Sequence, residues 1–368
     1  MDTTRTTYLS LLQSGLWDKE AVINGSIDWK ALMALAQSQS TTSLICHAAL
    51  QLEEDAVPAT LQPKMQALLL KSINAHATAN RTIAHIVSRL REESIDPVLL
   101  KGQGIASYYP TPMLRQCGDI DLYVGKEKYD AACSIIRAMY EGAPHSSEPT
   151  NKHTEFDLGG GLSLEIHQYT EVLDKEKMNT SYQAFSDAGT RNGLVPIIFN
   201  GVSVNTPEPT FNAFYIFHHL WHHTIGMGIG LRQVCDWAVF LHTYADQLDK
   251  PRLESYLRAI HLWDKWQVYG SLLVQYLGVK PEEVPFYDER KNRRSQRLLH
   301  YILTEGDNRE FKFGRSEQKT KKKASTLRYI FRKTARLLPI FPGQAMRYFI
   351  HSIHSGLKKA RRPSRLVL

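Results

Sequence analysis

The sequence predicts an α+β protein in which a small mixed sheet sits between flanking helical segments. Residues 1 to about 93 carry helical periodicity, residues 95–207 change to short alternating runs broken by glycine turns, and helical periodicity returns from Thr210. The middle stretch reads strand, helix, strand, helix, hairpin, an order that builds one α+β sheet unit. The chain therefore divides into an N-terminal helical segment (1–94), a sheet core (95–207), a C-terminal helical segment (208–310) and a basic helical tail (311–368).

Each element has its own signal. Met65, Leu68, Leu69, Ile73, Ala77, Ile83, Ile86 and Leu90 lie mostly three or four residues apart, which describes an amphipathic helix of about eight turns. Pro58 and Pro63 punctuate its start. DPVLL (96–100) is a short apolar run after a proline and reads as a buried strand; KGQGIASYY follows as a tight turn and a short helix. GDIDLYV (118–124) alternates, and KEKYDAACSIIRAMY (126–140) is helical. HTEFDL and LSLEIHQ flank Gly159, Gly160 and Gly161 as a hairpin, and IIFNGVSVNTP turns through Asn200-Gly201 as another. FNAFYIFHHLWHH, GLRQVCDWAVFLHTY and WQVYGSLLVQYL are the clearest later helices, with STLRYIFRKTARLL and GQAMRYFIHSIHSGLKKARR in the tail.

Composition bounds the class. With 368 residues, 43% hydrophobic and 22% charged, the chain is an ordinary folded protein of two or three structural units, not a disordered, collagenous or coiled-coil one. No run approaches the roughly 18 apolar residues of a membrane span, and the N-terminus lacks the pattern of a secretory signal. Cys46, Cys117, Cys133 and Cys235 form no CxxC pair, so a disulfide framework or zinc ribbon is not expected and a cytoplasmic setting is. Cys117 reads as a packing residue. The net charge of +8 is concentrated: residues 312–368 hold 16 Lys/Arg and one acid, Glu317, against 29 basic and 36 acidic residues elsewhere.

The chemistry lies in the carboxylates. In GDIDLYV the period of two puts Asp119, Asp121 and Tyr123 on one face and Ile120, Leu122 and Val124 on the other. The two acids then stand about 6–7 Å apart between Cα atoms, and like charges held so need a cation or a raised pKa. LSLEIHQ repeats the phase, with Ser163, Glu165 and His167 opposite Leu162, Leu164 and Ile166. If the two strands adjoin, Glu165 becomes a third acid. Three carboxylates on one sheet face can hold two Mg²⁺ ions about 3.5–4 Å apart, which clamp attacking and leaving oxygens in phosphoryl transfer. Lys101-Gly102-Gln103-Gly104 forms a strand-to-helix turn of the kind that lets a backbone approach phosphate.

LLKGQGIASYYPTPMLRQCGDIDLYV followed by LSLEIHQ resembles the nucleotidyltransferases of the DNA polymerase beta type. Within them it is most similar to a bacterial, largely uncharacterised family with an LLKG…R…GDIDL…EIH signature, and the likeness runs through FHHLWHH, LRQVCDWAVFL and the FP before the last helix. The resemblance implies a catalytic sheet that binds a nucleoside triphosphate and two Mg²⁺. Asp119 and Asp121 would ligate both ions, and Glu165 would ligate the catalytic ion and help activate an acceptor hydroxyl. Lys101, Gly102, Gln103, Arg115 and Gly118 are then candidates for nucleotide and phosphate contact. Many relatives carry Gly-Ser at the turn; here Gln103 follows Gly102, which makes Lys101 the candidate phosphate partner. The partners implied are a nucleoside triphosphate and a small-molecule, sugar or peptide acceptor. A nucleotide-binding scaffold without catalysis, or an enzyme of nucleic acid, are the alternatives; the acidic body offers no evident basic groove for a duplex.

Further residues have two readings each. Arg115 neutralises a phosphate or pins the acidic loop by an ion pair. His167 orients a metal ligand or is a hydrogen-bonded structural histidine. His219 and His223, four apart on one helix face, bind a metal, reach the nucleotide or pack. Arg232 and Asp236, also four apart, pair with each other or contact the acceptor. In the tail, Leu327, Ile330, Phe331 and Leu338 interleave with Arg328, Arg332, Lys333 and Arg336. That pattern suits docking on anionic lipid at the inner membrane face, phosphate contacts to nucleic acid, or packing on the body with the cations solvated.

Overall fold

The computed structural model describes residues 2–53, 55–116, 118–140, 150–226, 228–305 and 322–361, with backbone alone at 305, 322–327 and 353–361. Cys117, the Lys319–Lys321 part of the basic run and the side chain of Leu327 lie outside the described residues.

A six-stranded mixed sheet in the order β3-β4-β2-β1-β6-β5 forms the centre of the middle segment. Its strands are β1 (Val98–Leu99), β2 (Ile120–Tyr123), β3 (His153–Asp157), β4 (Ser163–His167), β5 (Val195–Phe199) and β6 (Val202–Thr206). The two expected hairpins are present: β3 pairs with β4 and β5 with β6, both antiparallel. β2 lies parallel to β4, and β1 is antiparallel to β2 and parallel to β6. The fold is α+β, as the run order predicts.

The helices follow the sequence periodicity. They are α1 (Thr3–Trp17), α2 (Trp29–Ser38), α3 (Thr42–Ala49), α4 (Gln62–Glu92), α5 (Gln103–Ala106) and α6 (Tyr129–Met139) before the hairpin. After it come α7 (Glu176–Arg191), α8 (Pro209–Ile225), α9 (Leu231–Tyr244), α10 (Lys250–Ala259), α11 (Trp263–Tyr276) and α12 (Asn292–Glu305). The tail forms α13 (Lys322–Leu337) and α14 (Pro342–Arg361). Several starts are capped by side chains: Asp2, Asp28 and Asp249 accept from the backbone N–H three residues on, and Glu208 from Thr210 and Phe211. The sequence reading passed over α7, although Met178, Tyr182 and Phe185, four and three apart, pack on the core.

Two cores result. Ile83, Val87 and Leu90 of α4 and Ile136 of α6 pack on Ile120, Leu122, Leu164, Ile166 and Val204, covering one sheet face. The second core joins Tyr8 and Leu44 of α1 and α3 to Trp237, Tyr269 and Leu298 of α9, α11 and α12. Segments 1–94 and 208–310 thus share a core although they are far apart in sequence. The uncovered sheet face, with the acids, turns toward α8 and α9.

α7 and α8 approach closely at Gly189, where an added Cβ would meet Phe211 Cβ at 2.2 Å. Gly189→Ala must displace α7 from α8 and is expected to destabilise the protein by about 1–3 kcal/mol, read as a lowered midpoint in urea unfolding.

Candidate functional site

The parallel register of β2 and β4 places Asp121 directly opposite Glu165 and Tyr123 opposite His167. Glu165 therefore joins the Asp119/Asp121 face, as strand phase requires. Asp121 is 1% exposed, and two nitrogens share its Oδ1: Lys101 Nζ at 2.9 Å and His167 Nε2 at 3.1 Å. Lys101 Nζ also lies 4.0 Å from Asp119 Oδ2, and His167 Nε2 lies 3.0 Å from Glu165 Oε2. An ammonium and an imidazole thus knit the three carboxylates together.

The charges answer this geometry. Burial works against the Lys101 ammonium, yet Asp121, then Glu165 and Asp119, outweigh it and hold its pKa above the ordinary value. Burial also opposes the Glu165 carboxylate, but the His167 hydrogen bond and the Lys101 charge hold it well below the usual carboxylate range. His167 is raised: its bonds to Asp121 and Glu165 overcome its complete burial.

Local structure brings Lys101 here. Leu99 ends β1, and Gly102 turns the chain with φ +64, a conformation that disfavours an L side chain. A Cβ on Gly102 would also lie 2.9 Å from the backbone oxygen of Asp119. The turn and the acidic strand touch at that point, so the glycine sets the distance between Lys101 and the acids. Gln103 points elsewhere. Its side-chain amide donates to Asn80 Oδ1 at 2.7 Å and lies 3.1 Å from His76 Nδ1, tying the turn to α4.

A cleft opens beside the acids, lined by Lys101, Gly118, Asp119, Asp121 and, from α8 and α9, Tyr215, His219, Arg232 and Asp236. Its interior volume is about 40 Å³, against roughly 300 Å³ or more for a typical small-molecule pocket. A nucleotide enters only if side chains at its mouth move. Arg115 lines the cleft too and is bidentate to Asp236, with Nε to Oδ1 at 2.7 Å and Nη2 to Oδ2 at 2.8 Å. Tyr109 donates to the same Oδ1 at 2.8 Å. Of the two readings of Arg115, the structure makes the ion pair, and it makes it to α9. Arg232 adds an attraction to Asp236 and reaches Gln116 O at 3.5 Å, so Asp236 is shared across elements and not confined to a helical i, i+4 pair.

Of the α8 histidines, His219 reaches the cleft. Burial, then the Lys101 charge, pushes it well below its ordinary pKa, so it is neutral near pH 7. The His219 and His223 rings stand 4.4 Å apart, edge to face. His218 packs on Tyr182 and is pushed down to about 4, chiefly by burial. Among the described residues, His153, Glu165 and His167 are set closely enough to hold a metal ion, their ligand atoms lying within 4.8 Å of one another. His153 Nδ1 is buried without a hydrogen-bond partner, 3.9 Å from Glu165 Oε2. Sequence reasoning missed His153, although the hairpin centred on Gly160 pairs it with His167. It also missed Tyr215, which no local pattern marks.

A family model described as uncharacterised nucleotidyltransferase matches residues 25–277, and the chain belongs to that family. No curated protein matches the chain. Among solved structures, an antigenic nucleotidyltransferase-like protein from Paracoccidioides brasiliensis is 16% identical, with 55% of this chain and 92% of that one covered and a TM-score of 0.34.

Two outcomes follow from the buried pair. Asp236→Asn leaves Arg115 buried without its counter-charge and is expected to cost about 3–5 kcal/mol at pH 7. Burial raises the Asp236 pKa, but Arg115 more than offsets it and holds the carboxyl below its ordinary value. The pair's contribution is therefore complete above an unfolded pKa of about 3.9 and is lost as pH falls through the depressed folded value. Chemical unfolding across that range should show the gap between wild type and Asp236→Asn closing only below about pH 4; a gap that closes near neutrality would contradict it.

Proposed function

We propose that the protein transfers a nucleoside monophosphate from a nucleoside triphosphate to a hydroxyl or phosphate of a small molecule, sugar or peptide, with Mg²⁺ and release of pyrophosphate. The observation that carries this reading is the β2–β4 register, which sets Glu165 beside Asp121 next to a cleft lined by Lys101, in a chain of the nucleotidyltransferase family. In such a reaction an acceptor oxygen attacks the α-phosphorus, the bond to the pyrophosphate oxygen breaks, and the acceptor proton passes to a base.

Asp119, Asp121 and Glu165 are the side chains that would hold two Mg²⁺. The donor set fits, because carboxylate oxygens suit a hard cation and Asp121 and Glu165 stand opposite one another across the β2–β4 pairing. Bound there, the metal would neutralise phosphate oxygens and lower the pKa of the acceptor hydroxyl. Lys101 supplies a point charge for phosphate, which requires it to exchange Asp121 for the ligand. Gly102 lets the chain come close to that ligand. Glu165, hydrogen-bonded by His167, accepts the acceptor proton. His219 and Arg232, which line the same cleft, would contact the nucleotide or acceptor.

The Lys101–Asp121 ion pair favours one second reading, a nucleotide-binding protein without turnover, since an ammonium already satisfies the carboxylate. One experiment separates the two. Each NTP is titrated calorimetrically with Mg²⁺ into wild type and Asp119→Ala, and pyrophosphate release is followed over a panel of acceptors. Transfer predicts binding of an NTP, loss of that binding by about 100-fold or more in the variant, and pyrophosphate with some acceptor. Binding without pyrophosphate supports the second reading, and equal binding by the variant overturns the metal assignment. His167→Gln should weaken Mg²⁺ affinity by about 10–100-fold and, because it removes the buried partner of Asp121 and Glu165, lower the thermal unfolding midpoint as well.

A further inference from the structure

The hairpin of α13 and α14 is docked on its inner side and bare on its outer side. Ile330, Leu337, Ile340, Phe341 and Ala345 are buried. Lys333, expected among the solvated cations, is 1% exposed and donates to Ile225 O at 2.6 Å and Gly226 O at 2.7 Å, where a cation suits the C-terminus of α8. The outer side is apolar: Phe331 is 57% and Leu338 43% exposed, Met346 46% and Ile350 62%. Phe331 lies on α13 and Leu338 just past its end, while Met346 and Ile350, four apart, share a face of α14. The Phe331 and Phe349 rings lie 5.1 Å apart, so the two helices adjoin there. Among the described residues, four of the nine exposed large hydrophobics fall in this one hairpin, which makes them a patch and not scatter.

Exposed arginines neighbour the patch along the chain. Arg328, Arg332 and Arg347 are exposed, and residues 322–361 contain ten Lys/Arg and neither Asp nor Glu. Next to Leu338 a cleft of about 610 Å³ is lined by Lys265, Arg294, Arg297 and Arg347, with Asp264 the carboxylate among its lining residues. Asp264 is already engaged by Arg294 at 2.7 and 2.6 Å and by Lys291 at 3.0 Å. Burial, then the Arg347 and Arg294 charges acting against Asp264, holds Lys265 below its ordinary pKa, a strain that a bound anion relieves.

We infer that this hairpin docks the protein on an anionic phospholipid surface, with Phe331, Leu338, Met346 and Ile350 entering the headgroup–acyl boundary and the basic cleft receiving a lipid phosphate. No described helix is long and apolar enough to cross a membrane, so the hairpin lies on the surface. The combination selects the occupant. RNA phosphates would use the cations and leave the apolar side chains in water, whereas an anionic bilayer satisfies both at once.

Full-length protein sedimented with vesicles tests this. Binding is expected to vesicles containing phosphatidylglycerol, to be weak on phosphatidylcholine alone, and to fall with salt. Phe331→Asp/Ile350→Asp should reduce it at least about 10-fold, and Arg347→Glu should flatten its salt dependence. Ile350→Asp alone, at the more exposed position, carries the test if the double variant does not fold. Thermal unfolding and Mg²⁺–NTP binding of the variants should match wild type. Equal sedimentation of wild type and Ile350→Asp, no preference for phosphatidylglycerol, or retention on RNA with none on vesicles would each overturn the inference.

Discussion

Asp121 and Glu165 stand opposite one another on adjacent parallel strands, and Asp121 is almost wholly removed from water. Two carboxylates so placed are stable only if cations and hydrogen bonds replace the solvent they lose. Much of the sheet's detail follows from that need. Lys101 must come off β1 at a turn tight enough to reach Asp121, which requires Gly102 and brings the turn against the backbone of Asp119. His167 must end β4 on the same face as Glu165, so that one ring nitrogen faces both acids. Lys101 and, when protonated, His167 offset only part of the charge of Asp119, Asp121 and Glu165, so the cluster keeps a net negative charge.

A second buried charge pair ties the helices to this sheet. Arg115 leaves the loop before β2 and meets Asp236 on α9. The loop that carries Asp119 is thereby fixed to the helical roof of the cleft, and α8, packed beside α9, presents Tyr215 and His219 to the same space. Lys333 extends the chain of contacts by capping α8 from the C-terminal hairpin. The acidic strand, the roof and the tail are thus mechanically continuous, through a few charge-assisted bonds among large apolar contacts.

Much of the site was legible beforehand, for a specific reason. Strand phase is a one-dimensional property, so the common face of Asp119 and Asp121, and of Glu165 and His167, could be read directly. The hairpins were legible through Gly159–Gly161 and Asn200-Gly201, whose turns set the register. His153 was implicit in that register but unremarked. α7 was passed over because its apolar stripe of Met178, Tyr182 and Phe185 is thin among polar residues, although these side chains pack on the core. Arg115 and Lys333 show the limit most clearly: sequence allowed Arg115 an ion pair without naming Asp236 as its partner, and gave Lys333 a solvent-, lipid- or phosphate-facing role although it is buried on the C-terminus of α8.

From its sequence alone this protein was committed to an α+β fold, to alternating acids on two strands, to a lysine-glycine turn and to a basic amphipathic tail, because periodicity and turn chemistry act between residues close along the chain. The parallel pairing of β2 with β4, the choice of Asp236 as the partner of Arg115, the shared core of the two helical segments and the exposure of Phe331 and Ile350 were decided only in three dimensions. Those outcomes depend on which distant surfaces exclude water together, and no local pattern encodes that competition.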